Sequence, residues 1–124
     1  VDLDQFQLIN DTCGHFAGDQ ALKFVADTLR TRAAAGAVVA RLGGDEFLIL
    51  LPNVSGLESA RMVTERLAAS LATPIELGGQ ATYCHASMGI ALYPLHGADA
   101  ALLISRADSA MYAAKKLRGT SVTV

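Results

Sequence analysis

Two groups of carboxylates in this chain stand where acidic side chains are costly to place. Asp2 and Asp4 flank Leu3 near the start, and Asp45 and Glu46 follow Gly43 and Gly44, directly before the apolar run from Phe47 to Leu51. If the two segments are neighbouring strands, three or four carboxylates face one another at strand ends, where they repel unless protonated or neutralised by a cation. A small set of hard oxygen ligands, with room left for water and phosphate, suits Mg²⁺. Two such ions can bridge the attacking and leaving oxygens of a phosphoryl transfer. The glycines would let a ligand approach the backbone closely. A plainer reading uses the same residues. An acidic pair in a hairpin turn is usually a solvated turn, and Asp2 or Asp4 could cap a helix beginning near Phe6. Composition alone favours the plainer one.

Asn10 and Asp19 form a second candidate set. A carboxylate accepts from two N–H groups and a carboxamide both donates and accepts, which is the pattern that reads a guanine edge. Local capping, of a turn by Asn10 and of a helix start by Asp19, is the reading favoured on sequence alone. Lys115, Lys116 and Arg118 cluster at the end of a helical pattern, where cations complement the helix dipole or neutralise phosphate. His15, His85 and His96 have no ligand spacing and read as turn, sheet-face and loop residues. Tyr83 and Tyr93 read as packing residues. Cys13 and Cys84 make no CxxC pair and read as free, partly buried thiols.

These groups need elements to hold them. A short helix is expected from about Phe6, a turn near Cys13–Gly14, and a second helix over about Ala17 to Ala33. The second carries Leu22, Val25, Ala26 and Leu29 as an apolar stripe, with Gly36 as a stop signal. The runs on either side of Gly43–Gly44 read as a hairpin, with the continuously apolar second strand buried on both faces. Ser55 and Glu58 read as a capping box for a helix with Ala60, Val63, Leu67 and Leu71 on one face, ended by Pro74. A second hairpin follows. Its return strand alternates Cys84, Ala86, Met88, Ile90 and Leu92 against Tyr83, His85, Ser87, Gly89, Ala91 and Tyr93. A last helix, about Asp99 to Leu117, buries Leu103, Ala107, Ala110, Met111 and Ala114, and a short strand closes the chain. The order β-α-α-β-β-α-β-β-α-β predicts an α+β sandwich of the ferredoxin-like kind, helices packed on a mostly antiparallel sheet.

The 124 residues suit one domain, and 52% apolar against 18% charged residues supply a core. A net charge of −2 offers no field for a nucleic acid polymer or an anionic membrane. No apolar run is long enough to span a bilayer. The opening Val-Asp-Leu-Asp reads as the end of a strand begun upstream, so the chain is expected to be part of a longer one.

Gly43 to Phe47 spell GGDEF, and here the sequence resembles the GGDEF family of diguanylate cyclase domains. DLDQFQLINDTCGHFAGD (Asp2–Asp19), RLGGDEFLILLP (Arg41–Pro52), ASMGIALYP (Ala86–Pro94) and RADSAMYAAK (Arg106–Lys115) also resemble the family, in its order, over essentially the whole chain. The family's upstream helix and the start of its first strand are expected to lie outside it. The resemblance implies a fold like the palm of nucleotidyl cyclases and polymerases, and condensation of two GTP molecules into cyclic di-GMP. It implies Mg²⁺ (or Mn²⁺) held by Asp2, the Leu3 carbonyl, Asp45 and Glu46. Asp45 would accept the 3′-hydroxyl proton, and Glu46 would complete the acidic site. Asn10 and Asp19 would read guanine, the Phe6 backbone and Lys115 would meet phosphate, and Gly43 and Gly44 would admit the nucleotide. A homodimer would be needed for catalysis, since one domain holds one GTP. The setting implied is cytoplasmic, in a parent protein that can be membrane-anchored and can carry sensor or EAL phosphodiesterase domains.

Three features depart from the family pattern. Gln7 stands where a phosphate-contacting Lys is usual, and the usual late Arg falls on Gly119, with Arg118 one place early. The R-x-x-D of the inhibitory product site matches Ala34 and Ala37, which implies no feedback inhibition of that type. Gln7 and the shifted Arg118 also suit an alternative, a weak or inactive GTP-binding regulatory domain controlling an attached EAL phosphodiesterase.

Overall fold

Leu3, Phe47, Ala86 and Met88 leave the central strands on one side, and Asp2, Glu46 and Ser87 leave them on the other. This period-two division separates the core from the site. The computed structural model describes residues 1–4, 6–77, 79–117 and 121–123, the last three by backbone alone. These form β1 (Asp2–Leu3), α1 (Phe6–Cys13), α2 (His15–Arg32), β2 (Val38–Gly43), β3 (Glu46–Leu50), α3 (Leu57–Leu71), β4 (Ile75–Leu77), β5 (Gln80–Thr82), β6 (Ala86–Gly89), α4 (Ala100–Ala114) and β7 (Ser121–Thr123). The main sheet runs β2-β3-β1-β6-β7, antiparallel except for the parallel pair β6–β7, and β4–β5 is a separate hairpin. The fold is the α+β arrangement that the sequence predicts.

On the core side, Leu22, Val25 and Leu29 of α2 and Leu67 and Leu71 of α3 pack against Leu3, Phe47 and Met88. Each such side chain, fully buried, contributes about 1.5–3 kcal/mol. On the other side α4 lies against β6, and Gly89 makes this possible. A Cβ there would overlap the Ala107 carbonyl oxygen and the Met111 backbone nitrogen. Asp99 caps α4, its Oδ1 accepting from Leu102 N at 2.8 Å. Beside α4 the sheet opens into an apolar groove of about 700 Å³ lined by Leu48, Leu50, Ile90, Leu103 and Met111 among others. No helix among the described residues is long and apolar enough to cross a membrane.

The structure corrects several expectations. β3 is not buried on both faces: Phe47 is buried, but Leu50 is 63% exposed, because its face looks into the groove. Ser55 and Glu58 make no capping box. α3 begins one residue later than that spacing needs, with Gly56 at its N-cap and no side-chain cap bond. Its inner face uses Thr64 beside Ala60, Leu67 and Leu71, while Val63 is only partly buried. The Thr64 hydroxyl hides its polarity by donating to Ala60 O at 2.8 Å. The return strand is two strands, β5 and β6, in different sheets, and β6 ends at Gly89, not Leu92. Leu103 and Ala107 are only partly buried, since the groove lies beside them. Tyr83 and Tyr93 do not pack inside; both are largely exposed, with Tyr83 stacked on His85 at 6.0 Å. His15 is the first residue of α2 and not a turn residue.

Candidate active site

Asp2 stands directly opposite Glu46 across β1–β3. Leu3 N donates to Asp45 O at 3.0 Å and Phe47 N donates to Val1 O at 2.8 Å on either side of this pair. Asp2 and Glu46 are therefore a non-hydrogen-bonded pair, the kind whose side chains come closest. Two like charges in that position are destabilising. Asp45 adds a third charge from the turn. Arg41 holds that turn in shape: its Nε and Nη2 donate to Gly44 O at 3.0 and 2.7 Å. Sequence reasoning passed over Arg41, although an Arg across a two-glycine turn was the available signal. Only Gly44 of the two glycines has positive φ, 33°, and at both positions the space a Cβ would take is open.

Asp2 is the hub. It is 8% exposed, and its Oδ1 is sequestered without a hydrogen-bond donor. Lys115, just past the end of α4, brings Nζ to 3.3 Å from that oxygen, an ion pair without hydrogen-bond alignment. The same Nζ is 3.6 Å from Asp4 Oδ1. Burial, then the charge of Asp45, push the Asp2 carboxyl above its usual range, and Lys115 pulls it partly back. Burial works to lower the Lys115 ammonium, but Asp2, Asp4 and Asp45 outweigh it and raise its value. A buried carboxylate oxygen whose one partner is an ammonium shared with Asp4, among excess negative charge, is what a divalent cation relieves. Among the described residues no three carboxylate, imidazole or thiol groups form a ready-made cage. An incomplete set of oxygen donors suits Mg²⁺, which keeps waters and shares phosphate oxygens. The residues present thus fit the ion.

The second candidate set sits at the corner where α1 meets α2. Gly14, at φ 90°, makes the corner, and its N–H donates to Asn10 O at 2.9 Å. The Asn10 side chain lies over Gly18: a Cβ on Gly18 would overlap Asn10 Oδ1 and sit 2.9 Å from its Cγ. Asp19, the next residue of α2, is exposed. Gly18 is a position the sequence reading missed. Gly18→Ala is expected to expel the carboxamide and to cost about 1–3 kcal/mol of stability, checked by thermal melts. Phe6 opens α1, half-buried against the core. Gln7 is exposed and donates to Asp11 Oδ1 at 3.0 Å. Cys13 and Cys84 are free thiols, and burial pushes the Cys84 thiol up. Arg118 and Gly119 lie outside the described residues.

The family model of the diguanylate cyclase GGDEF domain matches residues 1–121. Over 118 residues the chain is 43% identical to the diguanylate cyclase TpbB of Pseudomonas aeruginosa, covering 94% of this chain and 27% of that protein. Over 116 residues it is 40% identical to the cyclic di-GMP phosphodiesterase PdeR of Escherichia coli, covering 94% of this chain and 17% of that one. The chain thus spans about a quarter or less of these curated relatives. The crystal structure of the GGDEF domain of TpbB superposes with a TM-score of 0.93 at 40% identity, covering 98% of this chain and 76% of that one. With that match and the acidic pair after Gly43–Gly44 in place, the chain belongs to the GGDEF domain family.

Proposed function

We propose that this domain is a diguanylate cyclase, condensing two GTP molecules into cyclic di-GMP and two pyrophosphates. The observation that carries the proposal is Asp2: a buried carboxylate whose Oδ1 has the Lys115 ammonium beside it but no aligned hydrogen bond, opposite Glu46 and near Asp45. Asp2, the Leu3 carbonyl, Asp45 and Glu46 hold Mg²⁺ or Mn²⁺. When bound, the ion neutralises triphosphate charge and polarises the α-phosphate. Asn10 and Asp19 bind the guanine edge. The Phe6 backbone and Lys115 meet the phosphates. Asp45 takes the 3′-hydroxyl proton as the 3′-oxygen bonds to the α-phosphorus of the second GTP and the bond to pyrophosphate breaks. Such transfers depend on charge neutralisation and in-line positioning more than on covalent help. The second GTP comes from a second copy, so the active form is a homodimer working in the cytoplasm.

The test is nucleotide binding paired with turnover. GTP should bind in preference to ATP, and Asp45→Ala should lose turnover by at least about a hundredfold while still binding GTP. Equal binding of ATP and GTP would refute the guanine assignment.

One observation favours a second reading, a GTP-binding regulatory module that does not turn over. Gln7 brings no cation to the phosphate side, and its amide is engaged by Asp11. If Gln7→Lys raises turnover by about tenfold or more, the weak point is the missing charge.

A further inference from the structure

We propose that Asp4, anchored by the buried Ser87 hydroxyl, is a positioning residue that stations the Lys115 ammonium at the acidic site. The proposal rests on the reading above that this site takes a nucleoside triphosphate with a divalent cation. Ser87 is fully buried in β6, opposite Asp2 in the strand register. Its hydroxyl does not serve Asp2. Oγ donates instead to Asp4, 2.9 Å from Oδ1 and 3.1 Å from Oδ2. Asp4 is also fixed through its backbone, its N–H donating to His85 O at 2.8 Å. Its carboxylate is thus held at both ends of the residue.

Lys115 needs such an anchor. An ammonium on a flexible four-carbon stem loses rotamer freedom when it is held in one place. Its helix is brought to the sheet by Gly89, two residues along β6 from Ser87 and on the same face. The ammonium then sits between Asp2 at 3.3 Å and Asp4 at 3.6 Å. The two carboxylates differ in what they have left to offer. Asp2 has an oxygen with no hydrogen-bond donor, whereas Asp4 has its donor from Ser87. A cation arriving at Asp2 competes with Lys115 there and leaves the ammonium on Asp4. In the ligand-free domain Lys115 is the internal counter-ion of the site. With nucleotide present, Asp4 keeps it beside the incoming phosphates. Asp4 therefore serves the lysine, and Ser87 serves Asp4.

The first experiment needs no nucleotide. The free protein is treated with an amine-acylating reagent and the rate at each lysine is read by mass spectrometry. Lys115 should react about fivefold more slowly than exposed Lys23, because its ammonium is held by paired charges. Ser87→Ala and the isosteric Asp4→Asn should each speed Lys115 by about threefold, with Lys23 and Lys116 unchanged. The second experiment titrates GTP with Mn²⁺. Ser87→Ala should weaken binding by about fivefold, but add nothing in a Lys115→Ala background, since the hydroxyl acts only through the lysine. An unchanged Lys115 acylation rate in both variants overturns the proposal, and so does an additive loss of affinity in the double variant. If the acylation rates shift as expected while GTP fails to bind any form, the positioning stands and the nucleotide reading falls.

Discussion

Asp2→Asn should make the metal-free protein more stable at pH 7 while removing its response to divalent cations. A carboxyl whose value is raised by folding binds its proton more tightly in the folded state than in the unfolded one. Its stabilising contribution is fully present below the ordinary value of 3.8 and is lost as pH rises through the higher folded value. At neutral pH the ionised Asp2 therefore opposes folding, held against Glu46 and Asp45 with only Lys115 to offset them. Replacing it with an uncharged isostere should add about 1 kcal/mol, or about 4 °C in Tm. The wild-type protein in chelator should lose stability as pH rises from the ordinary value of 3.8 through the raised folded value, and the variant should lose less. Added Mg²⁺ should raise the wild-type Tm and leave the variant's unchanged. Lys115 does not confuse this window, because its raised value acts only above its ordinary 10.5. Thermal melts across pH, with and without Mg²⁺, decide the matter. A variant less stable than wild type at pH 7 in chelator would show that Asp2 is a structural ion-pair partner and not a strained ligand.

Gly89→Ala should be among the most damaging single substitutions in the domain. The added methyl would overlap the backbone of α4 at Ala107 and Met111, and would lie 3.0 Å from Met111 Cα. Backbone cannot step aside as a flexible side chain can, so the helix must move off β6. Overpacking of this kind costs about 3 kcal/mol or more, about 12 °C in Tm for a domain of this size. The functional loss should exceed the loss of stability. Lys115 follows Ala114 at the end of the same helix, and its distances to Asp2 and Asp4 depend on where α4 sits. A folded Gly89→Ala protein should therefore bind GTP poorly even well below its Tm. Calorimetric melts and nucleotide titration on the same sample test both halves. Wild-type affinity in a folded variant would mean that the helix contact does not set the lysine.

The parts of the fold legible in the sequence were those where one periodicity acted alone. Leu22, Val25 and Leu29 announced α2 because a helix against a sheet buries one stripe, and the Gly43–Gly44 turn announced its hairpin. Where two effects competed, the reading failed. The run from Phe47 to Leu51 is uniformly apolar, yet its alternate residues meet a core and a groove, and composition cannot separate these. The alternation from Cys84 to Tyr93 continues in the letters after the strand has ended, because the break at Tyr83–His85 and the end at Gly89 depend on neighbouring strands. The site was legible in its charges and not in its supports. Asp2, Asp45, Glu46 and Lys115 stand out by type. Gly18, Arg41, Ser87 and Gly89 matter only through contacts with residues remote in the chain or across a turn, which no local pattern reveals.

The proposed activity depends on the carboxylates around Asp2 turning GTP over. The most direct measurement supplies GTP and Mg²⁺ to the domain held as a dimer by a fused coiled coil, and follows cyclic di-GMP and pyrophosphate together. Cyclic di-GMP should form with one pyrophosphate released per GTP consumed, and both should be lost in Asp45→Ala. GTP bound by a folded dimer with no cyclic di-GMP formed would contradict it.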